Sequence, residues 1–185
     1  MIKELLAETE ARMGKAVEAL EAELRTIRTG RASPALVERV LVPYYGSPTP
    51  LNQLAVISAP EAQLLTIRPY DPAALPEIER AILKSELGLT PSNDGRIIRL
   101  PIPRLTEERR RELAKLVRQR VEDAKVALRN IRREALDDLR EFNNEKMISE
   151  DDFYRGKDRL QELTDQYAER MDEIGASKQR EILEG

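Results

Sequence analysis

All 11 prolines of the chain lie between Pro34 and Pro103, whereas the 33 residues before this segment and the 82 residues after it contain none. Proline breaks the interior of a helix because it lacks a backbone N–H and its ring clashes with the preceding turn. The chain is thereby divided into two outer segments that can form long helices and a central segment that cannot. We expect the outer segments to pack as one helical body, with the central segment inserted as a second domain.

Apolar residues in the outer segments recur at the three- and four-residue spacing of amphipathic helices. We predict a first helix that ends at Gly30, a second that follows the N-cap Thr106 and ends near Asn144, and a third that begins at the N-cap Ser149. Helices of about 27, 37 and 35 residues would be roughly 40 to 55 Å long. Because their apolar stripes can be buried only against one another, they predict an elongated three-helix bundle.

The central segment contains short β-type runs between turn residues. We predict strands over 54–58, 64–68 and 97–100, and a turn after Gly46 because proline punctuates that stretch. A helix is expected from Asp71 to Leu87, since Asp71 is a good N-cap and proline follows it at the first helical position. This pattern is typical of a small domain that mixes strands and one helix.

The predicted fold class is therefore α+β with two domains. Residues 1–30 and 104–185 form a discontinuous three-helix bundle, and residues 31–103 form an inserted β/α/β domain. Only two strands of chain join the domains, which favours a hinge over a joint fixed by side-chain packing. The expected hinge residues are Gly30, Arg31, Pro103 and Arg104.

Composition excludes several classes of site. The chain has no Cys and no His, so disulfides, thiolate metal sites and histidine catalysis are absent. Neither a glycine-rich nucleotide loop nor a nucleophile motif is present, and we predict no catalytic site, no metal and no cofactor. The charged start and the lack of an apolar run of about 20 residues predict a cytoplasmic protein with no membrane partner.

Charge is unevenly distributed along the chain, although the net charge is only −3. Residues 104–140 carry 12 basic and 8 acidic side chains, whereas residues 141–185 carry 7 and 13. Such a basic row on the second helix could contact a phosphate backbone, or it could be a solvated face paired with acids of a neighbouring helix, and both interpretations stay open. The row consists of Arg111, Lys115, Arg118, Lys125, Arg129, Arg132, Arg133 and Arg140.

Two adjacent tyrosines, Tyr44 and Tyr45, precede Gly46 in the central segment. Exposed aromatic rings can stack on nucleic-acid bases, but aromatic residues are also common in strands. We favour strand packing for both rings.

Several segments in the same order along the chain resemble the bacterial ribosome recycling factor family. The resemblance covers the whole chain without an evident insertion or deletion. Its main segments are 24–34 (LRTIRTGRASP), 44–51 (YYGSPTPL), 105–110 (LTEERR), 129–133 (RNIRR) and 148–152 (ISEDD).

This resemblance implies an L-shaped monomer with roughly the outline of a tRNA, made of a three-helix bundle and a β/α/β domain on a flexible hinge. It implies a translation factor rather than an enzyme, which binds the large ribosomal subunit after termination. Together with elongation factor G, which hydrolyses the GTP, the family splits the ribosome into subunits and releases mRNA and tRNA.

By the same resemblance, Arg129, Arg132 and Arg133 would contact ribosomal RNA of the large subunit. Arg110, with Arg28 and Arg31, would assist near the elbow. Two alternatives from other classes stay open: a helical adaptor that recruits proteins through charged helices, and a metal-dependent hydrolase built on carboxylates. Neither alternative explains the inserted proline-rich domain.

Overall fold

The computed structural model describes residues 1–184, and long helices at both ends of the chain flank a central region of short strands. The chain divides into two compact units, one of residues 1–29 with 107–184 and one of residues 30–106. The helices in chain order are α1 (Ile2–Arg25), α2 (Leu75–Lys84), α3 (Glu107–Asn144) and α4 (Glu150–Glu184). The strands are β1 (Leu41–Tyr44), β2 (Ser47–Pro50), β3 (Ala55–Glu61), β4 (Leu64–Pro69), β5 (Ser92–Asn93) and β6 (Ile98–Pro101).

The helical unit is a bundle of α1, α3 and α4 in which α3 runs antiparallel to the other two. Two contacts of α3 with each of the other helices establish these directions. Helix α3 meets α1 through Glu134 with Arg12 and Arg120 with Glu23, and it meets α4 through Lys125 with Asp172 and Arg132 with Gln161. The predicted apolar stripes form its core. Fully or almost fully buried members are Met13, Leu20, Val117, Leu128, Leu139, Leu160, Leu163 and Met171. Each such side chain contributes about 1.5–3 kcal/mol through burial.

The ends of the two long C-terminal helices agree with the sequence prediction. Helix α3 starts directly after Thr106 and ends at Asn144. Ser149 caps α4, because its Oγ accepts the backbone N–H of Asp152 at 3.0 Å. The start of α4 therefore follows from local capping chemistry.

Helix α1 is shorter than predicted, since it ends at Arg25 and not at Gly30. Thr26 explains the difference. Its hydroxyl donates to the Glu23 carbonyl at 2.6 Å, while its backbone N–H bonds to the same carbonyl. Such a local hydrogen bond from a threonine competes with continuation of the helix.

The central unit is built on a four-stranded antiparallel sheet in the order β3-β4-β6-β5, with a separate β1–β2 hairpin beside it. Helix α2 buries Ile78 and Ile82 in the same core as Leu65, Ile67 and Leu100 of the sheet. The predicted fold class, a helical bundle with an inserted β/α/β domain, is confirmed. None of the helices in residues 1–184 is long and apolar enough to cross a membrane.

Several boundaries in this unit differ from the prediction. Helix α2 is preceded by a 3₁₀ turn at Pro72–Ala74 and ends at Lys84, three residues before the predicted end. The short strand β5 was not predicted. The stretch 47–50, predicted as a turn, is strand β2.

Strand β2 tolerates its prolines because of the hairpin register. A two-residue turn makes Tyr44↔Ser47 a hydrogen-bonded pair, and pairs then alternate along the hairpin. Pro43↔Pro48 is consequently a pair without ladder hydrogen bonds, and Pro50 lies at the next such position. No proline of the hairpin occupies a site where the ladder needs an N–H.

The turn between β5 and β6 is fixed by one carboxylate, that of Asp94. Its Oδ1 accepts the backbone N–H groups of Ile97 at 2.8 Å and Arg96 at 2.9 Å, and its Oδ2 lies 3.1 Å from the Arg99 guanidinium. These donors, the two backbone groups foremost, lower the pKa of Asp94 from 3.8 to about 2. The turn therefore uses the charged form of this side chain.

Both ends of the central unit are fastened to the turn between β3 and β4. The carbonyl of Gly30 accepts from Gln63 Nε2 at 2.9 Å, and the Ala32 N–H donates to the Ala62 carbonyl at 2.7 Å. From the other end, the Ile102 N–H donates to the Gln63 carbonyl at 2.8 Å. Gly30 has a φ of +81°, and a Cβ there would lie 3.1 Å from Leu105, so glycine suits this position.

Candidate nucleic-acid interface

Helix α3 positions the basic row because its apolar stripe faces the bundle core. Leu128, Ala135 and Leu139 are buried, which turns Arg129 and Arg133 outward and leaves Arg132 half-buried. Arg129 and Arg133 are four residues apart on one face, about 6 Å along the helix axis. The three arginines of 129–133 therefore form one group, which we call the arginine group.

The structure divides the predicted basic row into paired and unpaired cations. Arg111 pairs with Glu107 at 2.9 Å, Lys125 with Asp172 of α4 at 3.0 Å, and Arg140 lies 3.7 Å from Asp137. Lys125 is thus paired with an acid of a neighbouring helix, as one of the two interpretations expected, whereas Arg111 and Arg140 pair with acids of α3 itself.

The arginine group has no carboxylate partner within residues 1–184. Arg132 instead donates to Gln161 Oε1 of α4 at 3.1 Å, and Gln161 Nε2 donates to Asp165 at 2.9 Å. Because the Gln161 amide is uncharged, this hydrogen bond orients the Arg132 guanidinium without neutralising its charge. The exposed guanidinium groups of Arg129 and Arg133 can form forked hydrogen bonds with phosphate oxygens.

A shallow groove of about 290 Å³ adjoins the arginine group between α3 and α4. Arg132 and Leu136 line it from α3, and Lys157, Asp158, Leu160 and Gln161 line it from α4, so the groove contains one acid besides its basic side chains. Lys157 adds a cation, and Gln161 holds Arg132 in place. Sequence reasoning missed both residues, because their proximity to α3 depends on how α4 packs and no motif marks it.

Arg110 and Arg28, two further predicted RNA-binding residues, lie in the helical unit outside the arginine group. Arg110 is half-buried in the first turn of α3, about 30 Å along the helix from residues 129–133. Arg28 is exposed just beyond the end of α1. Arg31 is exposed near the start of the central unit. Within the helical unit, the structure therefore brings together three of the predicted residues, Arg129, Arg132 and Arg133.

The two tyrosines of the hairpin have different environments. Tyr44 is half-buried, and its hydroxyl donates to Asp71 Oδ2 at 3.1 Å. This hydrogen bond is the main cause that raises the pKa of Tyr44 above its ordinary value. Tyr45 is 88% exposed, so the expectation of strand packing is wrong for Tyr45.

The carboxylates of residues 1–184 form no cluster of three that could hold a metal ion. The acidic run at Glu150–Asp152 lies in the first turn of α4, where its negative charges interact favourably with the positive end of the helix dipole.

Comparison with known proteins decides the family. A family model described as "Ribosome recycling factor" matches residues 20–183, which is most of the chain. The chain belongs to the ribosome recycling factor family. Among curated proteins, the ribosome-recycling factor of Roseiflexus castenholzii is 59% identical over 184 residues and covers 100% of both chains. That of Halalkalibacterium halodurans is 55% identical over 184 residues, again with 100% coverage of both.

Solved structures of ribosome recycling factors are also similar. A solution structure of the factor matches with a TM-score of 0.76 and 43% identity, covering 100% of this chain and 98% of that one. A T. thermophilus ribosome recycling factor, described with E. coli elongation factor G bound to the E. coli post-termination complex, matches with a TM-score of 0.65 and 46% identity over 99% of both chains. The chain is thus a translation factor in family, sequence and fold.

Proposed function

We propose that this chain dissociates post-termination ribosomes into subunits and releases mRNA and tRNA for a new round of initiation. It acts in the cytoplasm as a monomer, together with elongation factor G, and that partner hydrolyses the GTP. The family match over most of the chain carries this proposal. The related T. thermophilus factor, described with elongation factor G on a post-termination complex, supports the choice of partner.

The arginine group is the proposed contact with ribosomal RNA of the large subunit. Arg129 and Arg133 are exposed and have no acid partner among residues 1–184, so each can neutralise a phosphate without first breaking an ion pair. Each neutralised phosphate releases counterions, and this gain strengthens binding at low salt. Arg110, Arg28 and Arg31 are proposed to add contacts outside this group.

Helix α3 is proposed to carry the force that separates the subunits. It has 38 residues, which corresponds to a length of about 57 Å. Its buried residues pack against α1 and α4 along this length, so bending it would disrupt the bundle core. A force applied near one end of such a helix reaches the RNA contact with little loss.

A hinge at Gly30, Arg31, Pro103 and Arg104 is proposed to let the central unit move while the bundle stays bound. Pro103 and Arg104 are exposed, and no element of secondary structure spans residues 102–106. A variant locked by a disulfide between cysteines introduced on either side of the hinge tests this part. Full ribosome splitting by the oxidised variant would contradict it, and the cysteine-free chain makes the reduced variant a clean control.

Sedimentation of post-termination ribosomes tests the proposed function. The ribosomes are mixed with this chain, elongation factor G and GTP, and each component is left out in turn. Splitting that requires all three supports the proposal. Tight binding to the large subunit without splitting in the complete mixture, or no binding at all, would refute it.

A further inference from the structure

Tyr45 occupies the tip of the β1–β2 hairpin in a backbone conformation that tyrosine disfavours. Tyr45 and Gly46 are the two central residues of the turn, with φ values of +50° and +78°. Positive φ at both positions is typical of the type I′ turn, in which Asn, Asp and Gly are preferred. A residue with a Cβ meets a steric cost in this region, and such conformations cluster at functional sites. Turn formation therefore does not explain the tyrosine.

The Tyr45 ring is exposed, yet it is connected to the core of its unit. It packs edge-to-face on Tyr44, with ring centroids 4.5 Å apart. The Tyr44 hydroxyl is bonded to Asp71, and Asp71 also accepts the Ala73 N–H at 3.0 Å, just before α2. A large aromatic ring on such a rigid support is a pre-organised anchor for a binding partner.

The hairpin could bind a partner by stacking on nucleic-acid bases, by strand addition or by side-chain contacts with a protein. Its chemistry excludes the first two. Residues 41–50 carry no charged side chain, although 35% of the chain is charged. Surfaces that stack nucleic-acid bases combine aromatic rings with a basic groove. The groove beside β1 is lined by Arg39, Arg80 and Lys84 but also by Glu77 and Glu86, and Arg80 is paired with Glu77 at 2.9 Å, so its charge is mixed. Strand addition is also blocked, because Pro43, Pro48 and Pro50 occupy three of the four positions whose N–H would point outward.

What remains is side-chain recognition by a protein. The cores of protein interfaces are depleted in charged residues and enriched in tyrosine. A single exposed aromatic anchor that fills a pocket on the partner is typical of a binding hot spot. The hairpin tip, defined as Tyr45 and Gly46, has this character.

We propose that elongation factor G engages the central unit through the hairpin tip, with the Tyr45 ring seated in an uncharged apolar recess of that protein. This inference rests on the proposed function, in which elongation factor G moves the central unit. A contact that transmits displacement must be stiff, and the contacts from Tyr45 through Tyr44 and Asp71 to the start of α2 meet this requirement.

Photocrosslinking tests the partner directly. The full chain with p-benzoylphenylalanine in place of Tyr45 is irradiated on post-termination ribosomes, with or without elongation factor G and a non-hydrolysable GTP analogue. We expect a ribonuclease-resistant adduct with elongation factor G. A main adduct with ribosomal RNA or with a ribosomal protein, or no adduct with elongation factor G, would overturn the proposal.

A substitution at Tyr45 separates the effect of removing the ring from the effect of disturbing the turn. Tyr45→Asn keeps a residue that tolerates positive φ, so its unfolding midpoint should equal or exceed that of the wild-type chain. The concentration of elongation factor G needed for half-maximal splitting should rise about tenfold or more, with unchanged affinity for the large subunit. The control Leu83→Ala removes a side chain of α2 that is 57% exposed and should leave splitting unchanged.

If the wild-type chain recycles ribosomes and the Tyr45→Asn variant splits them at the same rate, the role of the hairpin tip is refuted while the proposed function stands. A wild-type chain that fails to bind ribosomes would contradict the proposed function itself and would remove the basis of this inference. The two failures are therefore distinguishable in the same assay.

Discussion

Gly175 of α4 should not tolerate alanine, because α3 lies too close. A Cβ at this position would lie 2.5 Å from Cγ2 of Val121, whereas carbon atoms in contact are about 3.5–4.0 Å apart. The methyl group would have to retreat by about 1 Å or more. Val121 is buried, and a valine in a helix has one strongly preferred rotamer, so the strain passes to the packing of α3 on α4.

The expected change in the free energy of unfolding of Gly175→Ala is the balance of two opposing effects. Overpacking of a buried contact costs about 1–3 kcal/mol, and this close approach favours the upper end of that range. Replacing glycine with alanine inside a helix recovers about 1 kcal/mol. The net loss in the free energy of unfolding of Gly175→Ala should therefore be about 1–2 kcal/mol.

Gly14 of α1 provides the matched control. A Cβ at Gly14 would meet no atom within 4 Å, so Gly14→Ala should stabilise the bundle by about 1 kcal/mol through helix propensity alone. Urea unfolding followed by circular dichroism measures both variants. Val121→Ala should relieve the clash, so the double variant with Gly175→Ala should lose less stability than the two single losses added together. A Gly175→Ala variant as stable as Gly14→Ala would refute the close packing of α3 and α4.

Three further predictions concern other sites. Gly156→Ala should destabilise the bundle less than Gly175→Ala in the same urea assay, because its Cβ would meet the flexible end of Leu139 at 2.9 Å; an equal loss would contradict this. The stability contributed by the Asp94 carboxylate should be complete above about pH 4 and should be lost as the pH falls towards the folded pKa of about 2. Between about pH 5 and pH 2.5, the Asp94→Asn variant should therefore lose less stability than the wild-type chain. Equal losses in the two proteins would refute this prediction. Gln161→Ala should leave stability within about 0.5 kcal/mol but weaken binding to the large subunit, because Arg132 loses its orienting bond; unchanged binding would count against that role.

The sequence predicted the helical bundle well because its signals are local. The cap at Ser149, the start of α3 after Thr106 and the absence of proline outside 34–103 are visible in the amino-acid order alone. The end of α1 was missed because the Thr26 hydroxyl competes for a carbonyl, and helical periodicity does not report such a bond.

Strand β2 was missed for a different reason. Proline content predicts a turn, but the prolines of this hairpin stand where the ladder needs no N–H, and that depends on register. The pairing of Lys125 was equally hidden, because Lys125 meets Asp172 only where α4 packs beside α3. The pairs Arg111–Glu107 and Arg140–Asp137, by contrast, are four and three residues apart on one helix, and that spacing is visible in the sequence.

The affinity for isolated large subunits, measured over a series of salt concentrations, tests the central claim most directly. Replacing Arg129 and Arg133 with alanine should reduce the log–log salt slope by about 1.4–1.8, at 0.7–0.9 for each lost phosphate contact. The control variant replaces Arg111 and Arg140, which are already paired with acids, and its slope should stay close to that of the wild-type chain. If the arginine-group variant keeps the wild-type slope and affinity, the arginine group is not the contact with ribosomal RNA.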